Sequence, residues 1–155
     1  MTFDVEKTRK DFPILSREIQ GNVLTYLDNA ASSQKPMEVL EGIKQFESND
    51  YSNVHRGLHT LSVLSTSAYE ESRKIVQKFL NAKSSDEIIF TSGGTDSVNL
   101  VASSYADKNL SQGDEIIITT MEHHANIVPW HFLRERKGIQ IKWIDCDQNG
   151  KFDIN

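Results

Sequence analysis

The sequence has little of what defines several classes of protein. Its 155 residues include one cysteine, Cys146, which excludes an internal disulfide framework and a metal site built from several cysteines. No apolar run approaches the roughly 20 residues that a transmembrane helix needs, and the first residues resemble neither a signal peptide nor a transit peptide. We therefore expect a reduced, cytoplasmic location and no association with a membrane.

An excess of positive charge is also absent. The chain has 17 basic and 22 acidic side chains and a net charge of −5. Its surface as a whole therefore does not attract a phosphate backbone, and nucleic-acid binding is not expected. The composition, 37% hydrophobic and 25% charged, is that of one globular domain. A short helical pattern stopped by Pro13 predicts an N-terminal tether over residues 1–20, followed by one large domain over 21–155.

Apolar spacing predicts an α/β fold. A strand is predicted at Asn22–Asp28, and helices are predicted from Pro36 and over Ser65–Leu80, with an irregular loop at Asn49–Thr60. Further along, short apolar strands alternate with helical segments. The predicted strands are Asp86–Phe90, Asp114–Thr119 and Ile139–Asp145, and the predicted helices lie at 97–110 and 125–138. This alternation, with strands apolar enough to be buried on both faces, is typical of a mostly parallel sheet with flanking helices.

The chain ends just after a predicted strand, in the turn-forming sequence DQNGKFDIN. In an alternating fold the next helix would begin at this point. We therefore expect that the large domain is incomplete in this sequence and lacks its later strands.

Two strand-to-helix turns are candidate ligand sites, because ligands in open α/β sheets bind beyond the carboxyl ends of the strands. In the turn Phe90–Asp96, Gly93 and Gly94 allow a ligand to approach closely, and Thr95 offers a hydroxyl beside the unpaired N–H groups of the next helix. This pattern suits a phosphate group, although it is neither a Walker A loop nor a dinucleotide-binding fingerprint. A plain tight turn, with Thr95 or Asp96 capping the helix, fits the same residues.

The second turn contains Glu122, His123 and His124. Adjacent side chains point in different directions in a strand and in a helix, so neighbouring histidines do not easily bind one metal ion. Alternatively, one imidazole forms a flat platform over the crevice while the other packs or caps beneath it, or both merely satisfy backbone groups. Together the two turns suit a ligand with a phosphate and an aromatic ring, such as pyridoxal phosphate (PLP) or a nucleotide.

The loop NVHRGLHT, residues 53–60, contains His55 and Arg56. On composition it is a solvated basic loop. Toward an anionic substrate or cofactor, Arg56 could bind in a bidentate manner and His55 could transfer a proton or orient the ligand. Asn29 follows the first predicted strand, where a turn and the edge of a site are both compatible with the sequence.

Four stretches together resemble the N-terminal part of a cysteine desulfurase, in the sulfur-mobilisation branch that includes selenocysteine lyase activity, within the class V aminotransferase-like family. They are YLDNAASSQKP (26–36), NVHRGLHTLS (53–62), IIFTSGGTDSVNLVA (88–102) and MEHHANIVPW (121–130). The resemblance covers essentially all of the chain. It implies the partial large domain of a fold type I PLP-dependent transferase. Such enzymes are normally homodimers that convert L-cysteine to L-alanine and pass the sulfur, as an enzyme persulfide, to an acceptor protein for iron–sulfur cluster assembly.

The resemblance also implies which residues bind the cofactor. His123 would stack on the pyridine ring, with His124 as its structural neighbour. Gly94 and Thr95 would hold the phosphate group at the start of a helix. No metal ion is implied.

The same resemblance implies three residues for catalysis. His55 and Arg56 would line the mouth of the active site, near a dimer interface, and Asn29 would lie close to the substrate. Cys146 does not match the sulfur-accepting cysteine of the family and is given no role.

The sequence departs from the family in two respects. Many members of the branch have Arg-Gly-Thr-Thr-Glu where this chain has Ser92–Asp96, so a hydroxyl is missing at Gly94. In addition, the sequence has no His-Lys pair to supply the lysine that carries the cofactor, no Asp-Gly-Ala-Gln segment for the pyridine nitrogen, and no late loop with the sulfur-accepting cysteine. We therefore expect these 155 residues to be inactive by themselves.

Two other functions are compatible with the motifs alone. The first is a binding module for a phosphorylated ligand, without turnover. The second is a metal-dependent hydrolase built on Glu122 and His123.

Overall fold

The computed structural model describes residues 3–152, which form two compact units that meet in sequence between Ile88 and Ile89. Residues 1–2 of the predicted tether and residues 153–155 of the predicted large domain lie outside the described residues. The first unit contains α1 (Val5–Lys10), a 3₁₀ turn (Pro13–Ser16), β1 (Glu18–Ile19), β2 (Asn22–Val23), α2 (Met37–Asn49), α3 (Thr60–Leu80) and a 3₁₀ turn (Ser85–Glu87).

The second unit alternates helical segments with strands. Its elements are α4 (Gly94–Leu100), a π-helical segment (Val101–Ala106), α5 (Asp107–Asn109), β3 (Glu115–Thr119), a 3₁₀ turn (His124–Asn126), α6 (Val128–Lys137) and β4 (Gln140–Ile144). The helical conformation thus begins at Gly94, earlier than the predicted 97. None of the helices among the described residues combines the length and apolar composition that a membrane span requires.

The predicted parallel sheet is confirmed in the second unit. β3 and β4 pair in parallel, with Glu115 opposite Gln140 and Thr119 opposite Ile144, and α6 forms the connection between them. Gly138, with φ +71°, closes α6 in the left-handed conformation that a glycine adopts without strain. The strand–helix–strand order of an α/β fold is therefore present.

The two parallel strands are buried on one side only. Ile118 is 6% exposed, whereas its neighbour Ile117, whose side chain points to the other face, is 64% exposed. The prediction that these strands are buried on both faces is wrong for the described residues, because α6 and the preceding helical segment pack on one face alone. Ala106, Leu133 and Ile139 form a buried hydrophobic cluster.

Two other strand predictions are wrong. Residues 86–90 form no strand, since a 3₁₀ turn covers Ser85–Glu87 and neither of the two sheets among the described residues includes this segment. The strand predicted at Asn22–Asp28 ends at Val23, where its pairing with β1 ends. Apolar alternation alone does not make a strand, because a strand also needs a partner for its backbone groups.

The helices of the first unit agree with the prediction more closely. Pro36 precedes α2, as its fixed φ favours. The second predicted helix begins at Thr60 and not at Ser65, because His59 caps it: its Nδ1 accepts the Ser62 N–H at 3.4 Å. The loop between the two helices is irregular, as expected.

Candidate functional site

The glycine turn before α4 is held by the side chains of Thr91 and Ser97. The Thr91 hydroxyl donates to the Gly93 carbonyl at 3.1 Å and lies 2.6 Å from the Ser97 hydroxyl, which also donates to Gly93 at 3.2 Å. The Asp96 carboxylate turns back and accepts the Ser92 N–H at 3.2 Å. These bonds fix the turn without covering the start of the helix.

The first N–H groups of α4 are therefore available to a ligand. No side chain of residues 3–152 caps this helix, and the helix start leaves its first N–H donors without backbone partners. A Cβ atom placed on Gly94 would meet nothing within 4 Å, so the space beside it is open. Residues Ser92 to Asp96 and Asn99 line an open cavity of about 520 Å³. The arrangement suits an anion, which the partial positive charge of the helix start attracts.

His123 lies in the turn that follows β3. It precedes the His124–Asn126 turn, and its Nδ1 accepts the Ala125 N–H at 3.1 Å. In the neutral ring, Nε2 then carries the proton. The side chains of His123 and His124 are both exposed, and their rings are nearly perpendicular at 85°, with centroids 6.3 Å apart. It is thus His123, and not its neighbour, that caps the turn.

Glu122 anchors the same turn from the other side. Its carboxylate accepts the Asn126 side-chain amide at 2.9 Å and the Thr119 hydroxyl at 2.8 Å. These hydrogen bonds, with that of Asn126 the larger, lower the pKa of Glu122 from its ordinary value of 4.5. The Asn126 oxygen in turn accepts the Trp130 indole N–H at 2.9 Å. The carboxylate is therefore committed to holding the turn.

The described residues offer no support for a hydrolytic metal centre at Glu122 and His123. Within residues 3–152, no group of three or more histidine, cysteine, aspartate or glutamate side chains is placed to hold a metal ion. Both oxygens of Glu122 accept hydrogen bonds from protein groups.

The helix that begins at the glycine turn lies near the turn that follows His123. Residues of α4 come within 8 Å, between Cα atoms, of residues in the His124–Asn126 turn. The structure therefore brings the helix of Gly94 and Thr95 next to the segment that follows His123, within one compact unit.

The first unit contains the loop with His55 and Arg56. Two buried serines of α3 fix it: the Ser65 hydroxyl donates to the Asp50 carbonyl, and the Ser62 hydroxyl donates to the Asn53 carbonyl, both at 2.7 Å. Ser62 also accepts the Gly57 N–H at 3.1 Å. These side-chain hydrogen bonds satisfy backbone groups of an irregular loop that secondary structure does not pair.

His55 itself is bonded at both its main chain and its ring. It adopts a left-handed φ of +65°, and its N–H donates to the Thr66 hydroxyl at 3.0 Å. The ring Nε2 lies 2.8 Å from a carboxylate oxygen of Glu70, and the Tyr69 ring meets it edge-on with centroids 5.5 Å apart. A non-glycine residue at this φ is uncommon and is found at functional sites more often than elsewhere.

Comparison with known proteins identifies the family. The profile described as Aminotransferase class-V matches residues 25–155. The chain belongs to the class-V aminotransferase family. It is 51% identical over 153 residues to a probable cysteine desulfurase of Staphylococcus aureus strain Mu50, and 51% identical over 150 residues to a cysteine desulfurase of Salmonella dublin. These alignments cover 99% and 97% of this chain and 37% of each relative, so the chain spans about 37% of their length.

A solved structure confirms the fold of this class-V aminotransferase chain. The apo structure of the cysteine desulfurase from Thermococcus onnurineus NA1 superimposes with a TM-score of 0.84 at 38% identity, over 99% of this chain and 36% of that one. The predicted α/β class, as part of a fold type I transferase, is therefore confirmed. So is the resemblance to cysteine desulfurases on which the prediction rested.

The remaining predicted residues of this class-V chain are exposed. Arg56 has no carboxylate partner within salt-bridge distance among residues 3–152, and Asn29 lies in a turn where its carbonyl accepts the Ser33 hydroxyl at 3.3 Å. Cys146 is a free, half-buried thiol, 3.9 Å from the Thr120 hydroxyl. The roles of Asn29 and Arg56 stay predictions.

Sequence reasoning missed the partners of His55. Thr66 and Glu70 are not in the quoted motifs, and at sequence level they are ordinary polar residues of a helix. The sequence does contain a spacing signal at Glu70: Glu70 and Arg73 lie one helical turn apart, and they form an ion pair at 2.9 Å. That spacing predicts a helix surface pair and says nothing about a histidine in the preceding loop.

Proposed function

We propose that this chain provides the phosphate turn, the ring platform and part of the substrate site of a PLP-dependent cysteine desulfurase. The reaction converts L-cysteine to L-alanine and passes sulfur, as a persulfide, to an acceptor protein that feeds iron–sulfur cluster assembly. The observation that supports it most is the packing of α4, with its uncapped start, against the turn that follows His123. The identity to proteins named cysteine desulfurase supports the substrate.

The residues of the second unit fit the cofactor. Gly94 would admit the phosphate close to the backbone, and Thr95 would donate a hydroxyl to it. The exposed ring of His123 is held by the Ala125 N–H and has an open side, on which a pyridine ring can stack. When bound, PLP supplies an electron sink for cleavage of bonds next to the amino group of the substrate.

The first unit would contribute the substrate groups. The guanidinium of Arg56, which has no carboxylate partner within residues 3–152, suits the carboxylate of L-cysteine, because a guanidinium binds a carboxylate in a bidentate manner. His55, with Nε2 bonded to Glu70, would hold or move a proton at Nδ1. Asn29 would contact the substrate through its exposed amide.

The 155 residues by themselves would release no alanine, because the sequence has no His-Lys pair to hold the cofactor covalently. We also propose a homodimer for the complete enzyme and a cytoplasmic location, in which Cys146 stays a free thiol. The large number of exposed apolar side chains, among them Leu27, Leu58 and Phe79, supports further contacts in the complete assembly.

The test uses the protein expressed from its complete coding sequence. Purified protein is mixed with PLP and followed by visible absorbance, and alanine and sulfide are then measured after addition of L-cysteine or L-selenocysteine. Alanine release that is lost in His123→Ala supports the proposal. A rise in the melting temperature on adding PLP, without alanine from either substrate, would instead indicate a binding module and would refute the enzyme.

A further inference from the structure

We propose that Glu70 is the positioning residue of His55: it fixes the orientation and the tautomer of the imidazole. The proposal rests on the proposed function, since His55 is taken as a residue of the active site. Glu70 lies on α3, outside the loop that carries His55. It would contact neither substrate nor cofactor and would act through the ring that it holds.

The Glu70 carboxylate is shared between two partners. One oxygen lies 2.8 Å from His55 Nε2, and the other accepts a hydrogen bond from Arg73 Nη1 at 2.9 Å. A carboxylate with both oxygens committed has little freedom to rotate. The fixed carboxylate therefore limits the orientations that the His55 imidazole can adopt.

Arg73 is itself held firmly. Its side chain is 17% exposed, and it donates to the Ile88 carbonyl at 3.1 Å and to the Ser85 carbonyl at 2.6 Å. Asp86 is 3.7 Å from the same guanidinium but is 90% exposed. The Arg73 guanidinium thus links Glu70 to the backbone of Ser85 and Ile88, at the end of the first unit. Backbone carbonyls, unlike side chains, cannot move away by changing rotamer.

The hydrogen bond also determines where the proton of His55 sits. An ionised carboxylate only accepts, so Nε2 must carry the hydrogen, and in the neutral ring Nδ1 keeps its lone pair. The main chain of His55 is fixed separately by the Thr66 hydroxyl, and the Tyr69 ring limits rotation of the imidazole. The side chain remains 52% exposed, so the ring is within reach of a ligand.

A role in stability alone does not explain this arrangement. Ion pairs between partly exposed groups contribute little to the free energy of folding, and Glu70 is 32% exposed. His55 is also held in a left-handed backbone conformation that costs energy. An orienting role accounts for both observations, because it requires a fixed ring and not a strong bond.

The chain offers a matched control. Glu71, the next residue of α3, forms an ion pair of its own with Lys74 at 3.5 Å, and its side chain is 58% exposed. Glu71→Ala therefore removes a carboxylate and an ion pair from the same helix without touching His55. We expect this variant to keep wild-type turnover.

The variants are made in the protein expressed from its complete coding sequence. Glu70→Ala should lower kcat for L-cysteine about tenfold or more, with a melting temperature close to that of wild type. Glu70→Gln should recover part of the loss, because its amide oxygen still accepts from Nε2. In a His55→Ala background, Glu70→Ala should add no further loss, since a residue that acts through His55 has nothing left to act on.

A second readout does not depend on turnover. With ¹⁵N-labelled histidine, the ring nitrogens of His55, assigned by their loss in His55→Ala, report which nitrogen carries the proton. We expect the Nε2–H form in wild type and in Glu71→Ala, and a mixture of tautomers in Glu70→Ala. If the His55 ring signals are unchanged in Glu70→Ala, or if the double variant is additive, the proposal is wrong. If the wild-type protein makes no alanine, the proposed function fails, and the ring signals still decide whether Glu70 holds His55.

Discussion

Each of the two units is stabilised internally by a different kind of interaction. In the first unit, Ser62 and Ser65 are 0% and 1% exposed, and their hydroxyls bond to backbone carbonyls of the loop before α3. In the second unit, the buried cluster is aliphatic and consists of Ala106, Leu133 and Ile139. Hydrogen bonds are directional and position a loop, whereas apolar packing responds to volume and joins elements. The units should therefore respond to different kinds of substitution.

The largest effect is expected at Leu133, which is 0% exposed. Leu133→Ala should lower the free energy of unfolding by about 2–5 kcal/mol, because it removes buried methyl groups and leaves a cavity. Urea unfolding, followed by tryptophan fluorescence, measures this in the complete protein. Phe132→Ala is the control, since Phe132 is 59% exposed. Equal losses in the two variants would contradict an aliphatic core at this position.

A smaller loss is expected at Ser62 in the first unit. Ser62→Ala hardly changes the volume but leaves the Gly57 N–H and the Asn53 carbonyl without a partner, which should cost about 1–3 kcal/mol. The same unfolding measurement applies, with the exposed Ser67 as the control position. If Ser62→Ala leaves the free energy of unfolding unchanged, packing and not hydrogen bonding holds the loop.

The turn Phe90–Asp96, which we propose binds the phosphate group of PLP, should depend on a single hydroxyl. Thr95→Ala should weaken PLP binding about tenfold, because a hydrogen bond to a charged phosphate is worth about 1.5 kcal/mol. Thr95→Ser keeps the hydroxyl and should bind as wild type does. Titration of the apoprotein with PLP, followed by absorbance, gives both dissociation constants. Equal affinity in Thr95→Ala and wild type would remove Thr95 from the phosphate site.

The smallest effect is a pH dependence at Glu122. Its pKa is lowered in the folded protein from 4.5, mainly by the Asn126 amide and also by the Thr119 hydroxyl. The stabilisation is therefore present above pH 4.5 and is lost as the pH falls through the lower, folded value. Melting temperatures of wild type and Glu122→Gln should differ most at neutral pH and converge in acid. A difference that stays constant down to pH 3 would contradict the lowered pKa.

Some elements could be predicted because the determining residues are close in sequence. Pro36 before α2, Gly138 after α6 and the apolar runs of β3 and β4 each act within a few residues. The prediction of a strand at Asp86–Phe90 was wrong, because a strand forms only beside a second strand with which its backbone can pair. A local sequence pattern does not reveal whether that second strand is present.

For the candidate site, the sequence by itself determined the chemistry: the glycine turn, the adjacent histidines, the basic loop and the family to which they belong. Only the tertiary structure decided which groups meet. It placed α4 beside the turn after His123 and gave His55 a carboxylate, Glu70, that lies 15 residues further along the chain. Motifs record residue types at short spacing, whereas hydrogen bonds and packing between elements depend on how the chain folds back on itself.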